Sequence, residues 1–245
     1  MPATMTTAFI SDLHLDAADE LRSRILLAWL QRSAGQLERL YILGDLFEAW
    51  IGDDDPGELA TEIAAALNLL AAQGTWIGFV HGNRDFLLGQ HYAARCRMHL
   101  LPDPCVIELA GMPTLIAHGD LLCSADLPYQ AFRRQVRDPA WQRSFLSQPL
   151  AQRQAFARAA REQSMRHQQG VEATITDVSP ADVEAWFKCY GVNRLIHGHT
   201  HRPATHTHAV EQRNCERIVL ADWRDAGEVL LTLSDGTLHR QRLTV

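Results

Sequence analysis

The sequence is short of lysine, of cysteine and of unbroken apolar runs, and each shortage excludes something. Its five cysteines, Cys96, Cys105, Cys123, Cys189 and Cys215, are odd in number and form no CxxC pair. That excludes a disulfide framework and a thiolate zinc cage, and it leads us to expect a reduced compartment. No apolar run approaches the roughly 20 residues a membrane span requires. The segment before Asp12 has no basic stretch followed by an apolar one, so no signal peptide is expected. Lys188 is the single lysine among 23 basic residues, a bias consistent with genome composition. Repeats and low-complexity segments are also missing.

What is present fits a folded chain. The 245 residues are 47% hydrophobic and 21% charged, enough for one large domain or a domain with an insertion. The net charge of −6 is unevenly spread. Between Ala125 and Gly170 stand Arg133, Arg134, Arg137, Arg143, Arg153, Arg158, Arg161 and Arg166 against Asp126, Asp138 and Glu162, a balance of +5 that leaves −11 for the remainder. A cationic segment in an acidic chain suits an anionic partner such as phosphate, a nucleotide or a membrane surface; a solvated helix face would look the same.

Five short apolar runs read as buried strands: Ala8 to Ile10, Leu40 to Leu43, Trp76 to Val80, Thr114 to Ala117, and Arg194 to Ile196. Helical spacing separates them, with Leu21, Ile25, Trp29 and Leu30 on one face and Leu59, Ile63, Leu67 and Leu70 on another. The alternation predicts an α/β fold. From about Ala125 to Phe187 the strands stop, and the composition predicts a helical insertion, with strong helix formers over Gln142 to Gln169. Strands return at Ile218 to Ala221 and Val229 to Leu233, and Asp235-Gly236 reads as a hairpin turn. The expected organisation is one domain, 1–245, with an insertion over about 125–187.

Each of the five runs ends at a polar string. Asp12 and His14 follow the first, Asp45 the second, Asn83 the third, His118 the fourth, and His199 and His201 the last. Ligands in such sheets gather beyond the carboxyl ends of the strands, so these seven side chains converge if the fold is right. Carboxylate, imidazole and amide ligands without thiolate suit Mn, Fe or Zn. Seven ligands exceed one tetrahedral site, and a shared carboxylate splits them into two. With Asp45 shared, Asp12, His14 and His201 would complete one site, and Asn83, His118 and His199 the other. Two ions roughly 3.5–4 Å apart acidify a water and clamp a phosphoryl group. His197 is expected behind the ligands or at the strand end, His81 outside the array, and His167, His206, His208 and His239 on the surface.

These strings resemble the calcineurin-like metallophosphoesterases from Asp12 to His201. Ile10 to Leu15, Tyr41 to Asp45, Glu48 to Asp54, His81 to Leu87, His118 to Asp120 and His197 to Pro203 most resemble the branch of that family acting on UDP-2,3-diacylglucosamine. The resemblance implies a β-sandwich flanked by helices (αββα), two Mn ions, and a helical lid over the site. It implies a water-driven attack on the α-phosphorus of UDP-2,3-diacylglucosamine, giving UMP and 2,3-diacylglucosamine 1-phosphate in lipid A biosynthesis. It also implies a cytoplasmic protein, peripheral on the anionic inner-membrane surface. Asp45, Asn83, Arg84 and His199 carry catalysis in this reading. Asn83, Arg84, Asp126, Ser164, Gln168, Val171 and His199 fall where substrate is contacted, although Val171 stands where a Lys is usual. The lid's Phe132, Trp141 and Phe145 would shelter acyl chains or pack the lid itself.

Arg84 adds its own argument. The wider family usually has a His there, able to protonate a leaving alkoxide. Arginine is a poor general acid but a good bidentate phosphate clamp. A leaving phosphate needs no such proton, so Arg84 favours pyrophosphate cleavage over cyclic phosphodiester hydrolysis. Pairing with Asp85 is the alternative role for it. A non-catalytic scaffold would be free to lose ligands, and none is missing. The acidic total and the lack of a binding motif argue against nucleic acid.

Overall fold

A computed structural model describes residues 6–54, 57–170, 177–233 and 235–245, with side chains throughout except over 164–170. β1 (Thr6–Ile10), β2 (Leu37–Leu43) and β3 (Trp76–Val80) pair in parallel, with Phe9 opposite Tyr41 and Tyr41 opposite Gly78. Parallel neighbours require a crossover, supplied by α1 (Glu20–Ser33) and α2 (Gly57–Ala72). Asp19 opens α1 by accepting the Leu21 N–H, satisfying one of the donors a helix start leaves orphaned. α3 (Gln90–Cys96) leads to β4 (Met98–Leu101), parallel to β3. β10 (Gly227–Thr232) and β11 (Leu238–Leu243) add antiparallel strands on the other side, in the order β11-β10-β1-β2-β3-β4. The turn between them is where Asp235-Gly236 predicted it.

A second sheet runs β5-β6-β7-β9-β8, from β5 (Cys105–Leu109), β6 (Met112–Ala117), β7 (Arg194–His197), β8 (Ala204–Val210) and β9 (Arg213–Val219). β6, β7 and β9 are parallel. The sheets face each other through Phe9, Tyr41, Leu43 and Val80 on one side and Ile116, Ile196 and Ile218 on the other. The alternate residues of β1 and β2, Ala8, Ile10, Leu40 and Ile42, turn outward against Ile25, Trp29, Ile63 and Leu67 of α1 and α2. Period-two alternation with both faces covered explains why these strands read as continuous apolar runs. α7 (Pro180–Tyr190) covers the second sheet, with Val183 and Phe187 fully buried among Leu115 and Leu195. The four layers form a β-sandwich with helices on both outer faces, as expected.

Between β6 and α7 lie α4 (Leu127–Val136), α5 (Pro139–Leu146) and α6 (Leu150–Gly170). Asp126 and Asp138 cap the first two, each followed by a proline in the first turn. The strong helix formers over Gln142 to Gln169 fall in two helices, the end of α5 and most of α6. Pro149 lacks an N–H and bars its predecessor from helical geometry, so the chain breaks there. α7 also begins inside the stretch expected as insertion, yet it packs on the body. Among the described residues no helix is long and apolar enough to cross a membrane.

Candidate metal centre

The five strings sit just beyond β1, β2, β3, β6 and β7, and their backbones are unusual. Nine non-glycine residues among those described have positive φ, and five are Asp12, His14, Asp45, His199 and His201. Such backbone costs energy and persists where the surroundings enforce it. Here neighbouring loops enforce it: the Asp12 N–H donates to the Gly44 carbonyl at 3.1 Å, the His14 N–H to that of Asp45 at 2.9 Å, and the Gly198 N–H to that of His118 at 2.9 Å. The glycines permit the approach. A Cβ on Gly82 would lie 2.1 Å from Asp45 Oδ1, and one on Gly198 would lie 2.2 Å from Asp12 Oδ2.

All seven predicted ligands are brought together. Asp45 Oδ2 lies 3.8 Å from both His14 Nε2 and His118 Nε2. Asp12 Oδ1 is 3.4 Å from His201 Nε2 and 4.0 Å from His14 Nε2. Asn83 Oδ1 is 2.9 Å from both His118 Nε2 and His199 Nδ1. Two overlapping groups emerge, Asp12 with His14 and His201, and Asp12 with Asp45 and His118. Bonds of roughly 2.1 Å to a shared ion put neighbouring ligands roughly 3.0–3.4 Å apart, close to this spacing.

The residues also fit metal ions chemically. Asp12 Oδ1 is buried without a hydrogen-bond partner, an expensive state for a carboxylate oxygen. His118 Nδ1 is 2.9 Å from the Leu43 carbonyl, which assigns the proton to that nitrogen and turns the Nε2 lone pair toward the Asn83 oxygen. Lone pairs pointed at lone pairs call for a cation or a proton between them. The ionisation follows suit. Burial alone would lower His118, but the Asp45, Asp12 and Asp120 carboxylates hold it up at about 9. His199 is pushed down to about 4 by burial and by the charge on His118; one proton serves the pair. Burial would raise Asp12, yet the close approach of His201 and the charges of the neighbouring histidines keep it well below the carboxylate range. Protons and divalent cations compete for such groups.

A supporting layer orients the ligands. Glu48 Oε2 is 3.2 Å from His14 Nδ1, and Asp222 Oδ2 is 3.5 Å from His201 Nδ1. Carboxylates behind ligating imidazoles fix ring orientation and raise basicity. Neither was singled out from the sequence, although Glu48 follows Asp45 by three residues. Behind His118, Asp103 Oδ1 accepts its backbone N–H at 3.1 Å, and Arg133 bridges Asp103 and Asp120. Tyr129 donates to Asp120 at 2.5 Å.

Other expectations need correcting. Asp85 neither pairs with nor orients Arg84: fully buried, its carboxylate accepts the N–H groups of Asp45, Leu46 and Gly82. Desolvation and the Asp45 charge push it up to about 6. Arg84 instead lines the cleft, with a buried Nε that has no hydrogen-bond partner. His208 is half-buried against Phe187 rather than on the surface, while His206 and His239 are exposed. His197, at the end of β7, is fully buried behind the ligand loop, and His81 meets the Leu88 carbonyl at 2.7 Å. The side chains of Ser164, His167 and Gln168, and Val171 altogether, lie outside the described residues.

A cleft of about 1070 Å³ opens over the centre. His14, Asp45, Asn83, Arg84, His199 and His201 line one part, with Asp126 near the start of α4. Trp50, Phe86, Phe132, Phe145 and Phe156 line the rest. Trp141 does not line it; it stacks on Phe145, with ring centroids 4.9 Å apart.

The calcineurin-like phosphoesterase family matches residues 5–203. A UDP-2,3-diacylglucosamine hydrolase of Stenotrophomonas maltophilia (strain R551-3) is 54% identical over 248 aligned positions, covering 97% of this chain and all of the relative. Proteins of the same name from Xanthomonas campestris pv. campestris and Xanthomonas axonopodis pv. citri are likewise 54% identical, over 97% of this chain and 99% of theirs. The chain belongs to the calcineurin-like phosphoesterase family, and to the same branch of it as these hydrolases.

Proposed function

We propose that the chain hydrolyses the pyrophosphate bond of UDP-2,3-diacylglucosamine, with water attacking the α-phosphorus, to give UMP and 2,3-diacylglucosamine 1-phosphate for lipid A biosynthesis. The observation that carries this reading is one cleft whose lining has two characters: converging lone pairs and an arginine, together with aromatic side chains. A polar diphosphate joined to two acyl chains has the same division.

Asp12, His14, Asp45 and His201 would hold one Mn ion and Asp45, Asn83, His118 and His199 the second, and the pair would supply Lewis acidity and an activated water. Arg84 clamps the phosphate through its fork of donors and neutralises the departing charge without giving up a proton. Asn83 and His199 stand beside it, and Asp126 reaches the glucosamine. α4, α5 and α6 act as the lid, with Phe132, Phe145 and Phe156 against the acyl chains. Leu127, Leu146 and Phe156 are exposed on the same helical insertion as the exposed Arg134, Arg143 and Arg158. Apolar side chains among arginines suit the cytoplasmic face of an anionic inner membrane.

The test is release of UMP by purified protein given the lipid substrate and Mn. Asp45→Ala should abolish turnover; turnover that survives it removes the mechanism. Faster cleavage of water-soluble nucleotides than of the diacyl substrate would favour another phosphoesterase activity.

A further inference from the structure

A diphosphate held at the centre with its acyl half against the aromatic lining of the main cleft leaves its nucleotide half to be placed. A second cavity, of about 230 Å³, shares Thr200 with the main cleft. Thr200 stands between His199 and His201, so this cavity adjoins the ligand loop. It is smaller than the roughly 300–1,000 Å³ of a complete ligand site, and so has the size of a subsite.

Its wall includes Arg217 of β9, only 7% exposed. One Nη of Arg217 lies 3.2 Å from His197 Nε2, and His197 Nδ1 is 2.8 Å from the Gly198 carbonyl. The imidazole therefore donates to the carbonyl and accepts from the guanidinium. Arg217 Nε is buried without a hydrogen-bond partner, as is Thr200 Oγ1. Among the described residues no carboxylate lies within ion-pair distance of Arg217. A guanidinium buried with a neutral imidazole as partner calls for another acceptor. Arg202, paired with Asp177, and His206, opposite Arg217 in the β8–β9 register, also line it, with Pro203, Ala204 and Val219 as its apolar part.

We propose that this cavity receives the uracil ring of the substrate; the assignment rests on the function proposed above. Uracil is neutral and presents two carbonyl acceptors and one N–H donor. Arg202 and the terminal guanidinium nitrogens of Arg217 supply donors for the carbonyls, and Asp177 supplies an acceptor for the N–H. The Asp177 carboxylate opposes a phosphate at the same place. Cytosine exchanges one carbonyl for an amino group, which would face donors. A site built to hydrogen-bond one group rejects the analogue lacking it more strongly than an apolar pocket would.

The test is inhibition of the Mn-loaded protein by UMP and by CMP, with UDP-2,3-diacylglucosamine as substrate. UMP should inhibit the parent chain at least five-fold more tightly than CMP. Arg202→Ala, His206→Ala and Arg217→Met should each narrow that ratio and raise the substrate KM. Arg217 is buried and its variant risks misfolding, so the exposed Arg202 and His206 carry the decision, with melting curves as the fold control. Equal inhibition of the parent by the two nucleotides overturns the assignment, as does an unchanged ratio and KM in folded Arg202→Ala and His206→Ala. A parent protein that does not cleave the substrate removes the proposed function and this subsite together; cleavage with unmoved ratios removes the subsite alone.

Discussion

At the scale of single residues, the centre depends on side chains whose work differs from what their neighbours in sequence suggest. Asp85 looks like the partner of Arg84 but ties the Asp45 and Gly82 loops together through three backbone N–H groups. Arg84 is thereby left to face the cleft. Arg84→Ala should lower kcat/KM by roughly 10²–10³-fold, the usual loss for a preorganised donor at developing charge. Arg84→Lys should recover only part, because lysine cannot make the bidentate contact. A kcat/KM for Arg84→Ala within a few-fold of the parent would refute the clamp. Glu48→Ala should weaken metal binding by roughly 10–100-fold, since a carboxylate behind a ligating histidine acts at about that level. Titrating the metal-free protein with Mn measures this directly, and an unchanged affinity would make Glu48 incidental. The convergence of the seven candidate ligands was legible because each follows closely on an apolar run. Asp222 was not, because the whole β8–β9 hairpin separates it from His201.

At the scale of elements, β1, β2, β3, β6 and β7 were readable, being buried on both faces and hence continuously apolar. The strands that escaped, β4, β5 and β8, are edge strands. β8, Ala-Thr-His-Thr-His-Ala-Val, has only Val210 fully buried, so it carries no apolar run to find. The break between α5 and α6 falls at Pro149, with helix formers on either side. α6 is held to the body by Arg153, whose side chain is 3% exposed. It donates to the carbonyls of Ile51 at 2.6 Å and Gln148 at 3.0 Å, and pairs with Asp54. Asp54 is 61% exposed, so water screens that pair and the carbonyl contacts matter more. Arg153→Met should destabilise by roughly 1–3 kcal/mol through those buried carbonyls. It should also speed protease cleavage within α5 and α6 relative to the sheets. Denaturant melts and timed proteolysis read both effects, and a variant indistinguishable from the parent in each would show that α6 is held by its aromatic contacts instead.

At the scale of the whole molecule, the centre is where the two sheets are joined. Asp12, His14, Asp45 and Asn83 come from the loops of the first sheet, and His118, His199 and His201 from those of the second. Without cations, protons must hold these groups together. His118 is raised from 6.5 to about 9, and the Glu48, Asp45 and Asp12 carboxylates raise His14 against the burial that would lower it. A histidine with a raised folded pKa contributes stability that is complete below pH 6.5 and lost as pH climbs through the folded value. For His118 that contribution is on the order of 3 kcal/mol. The metal-free protein should therefore melt several degrees lower at pH 9 than at pH 6.5. His197 and His199, lowered to about 3 and about 4, stay neutral in that window and do not offset the loss. Saturating Mn should reverse the trend, because neutral imidazole is the ligand and rising pH removes its competitor. Melting curves from pH 6.5 to 9, with a chelator and with Mn, give the comparison. A metal-free melting temperature that is flat across that range would mean that protons do not join the sheets, and a fall equally steep with Mn present would mean that the ion does not take their place.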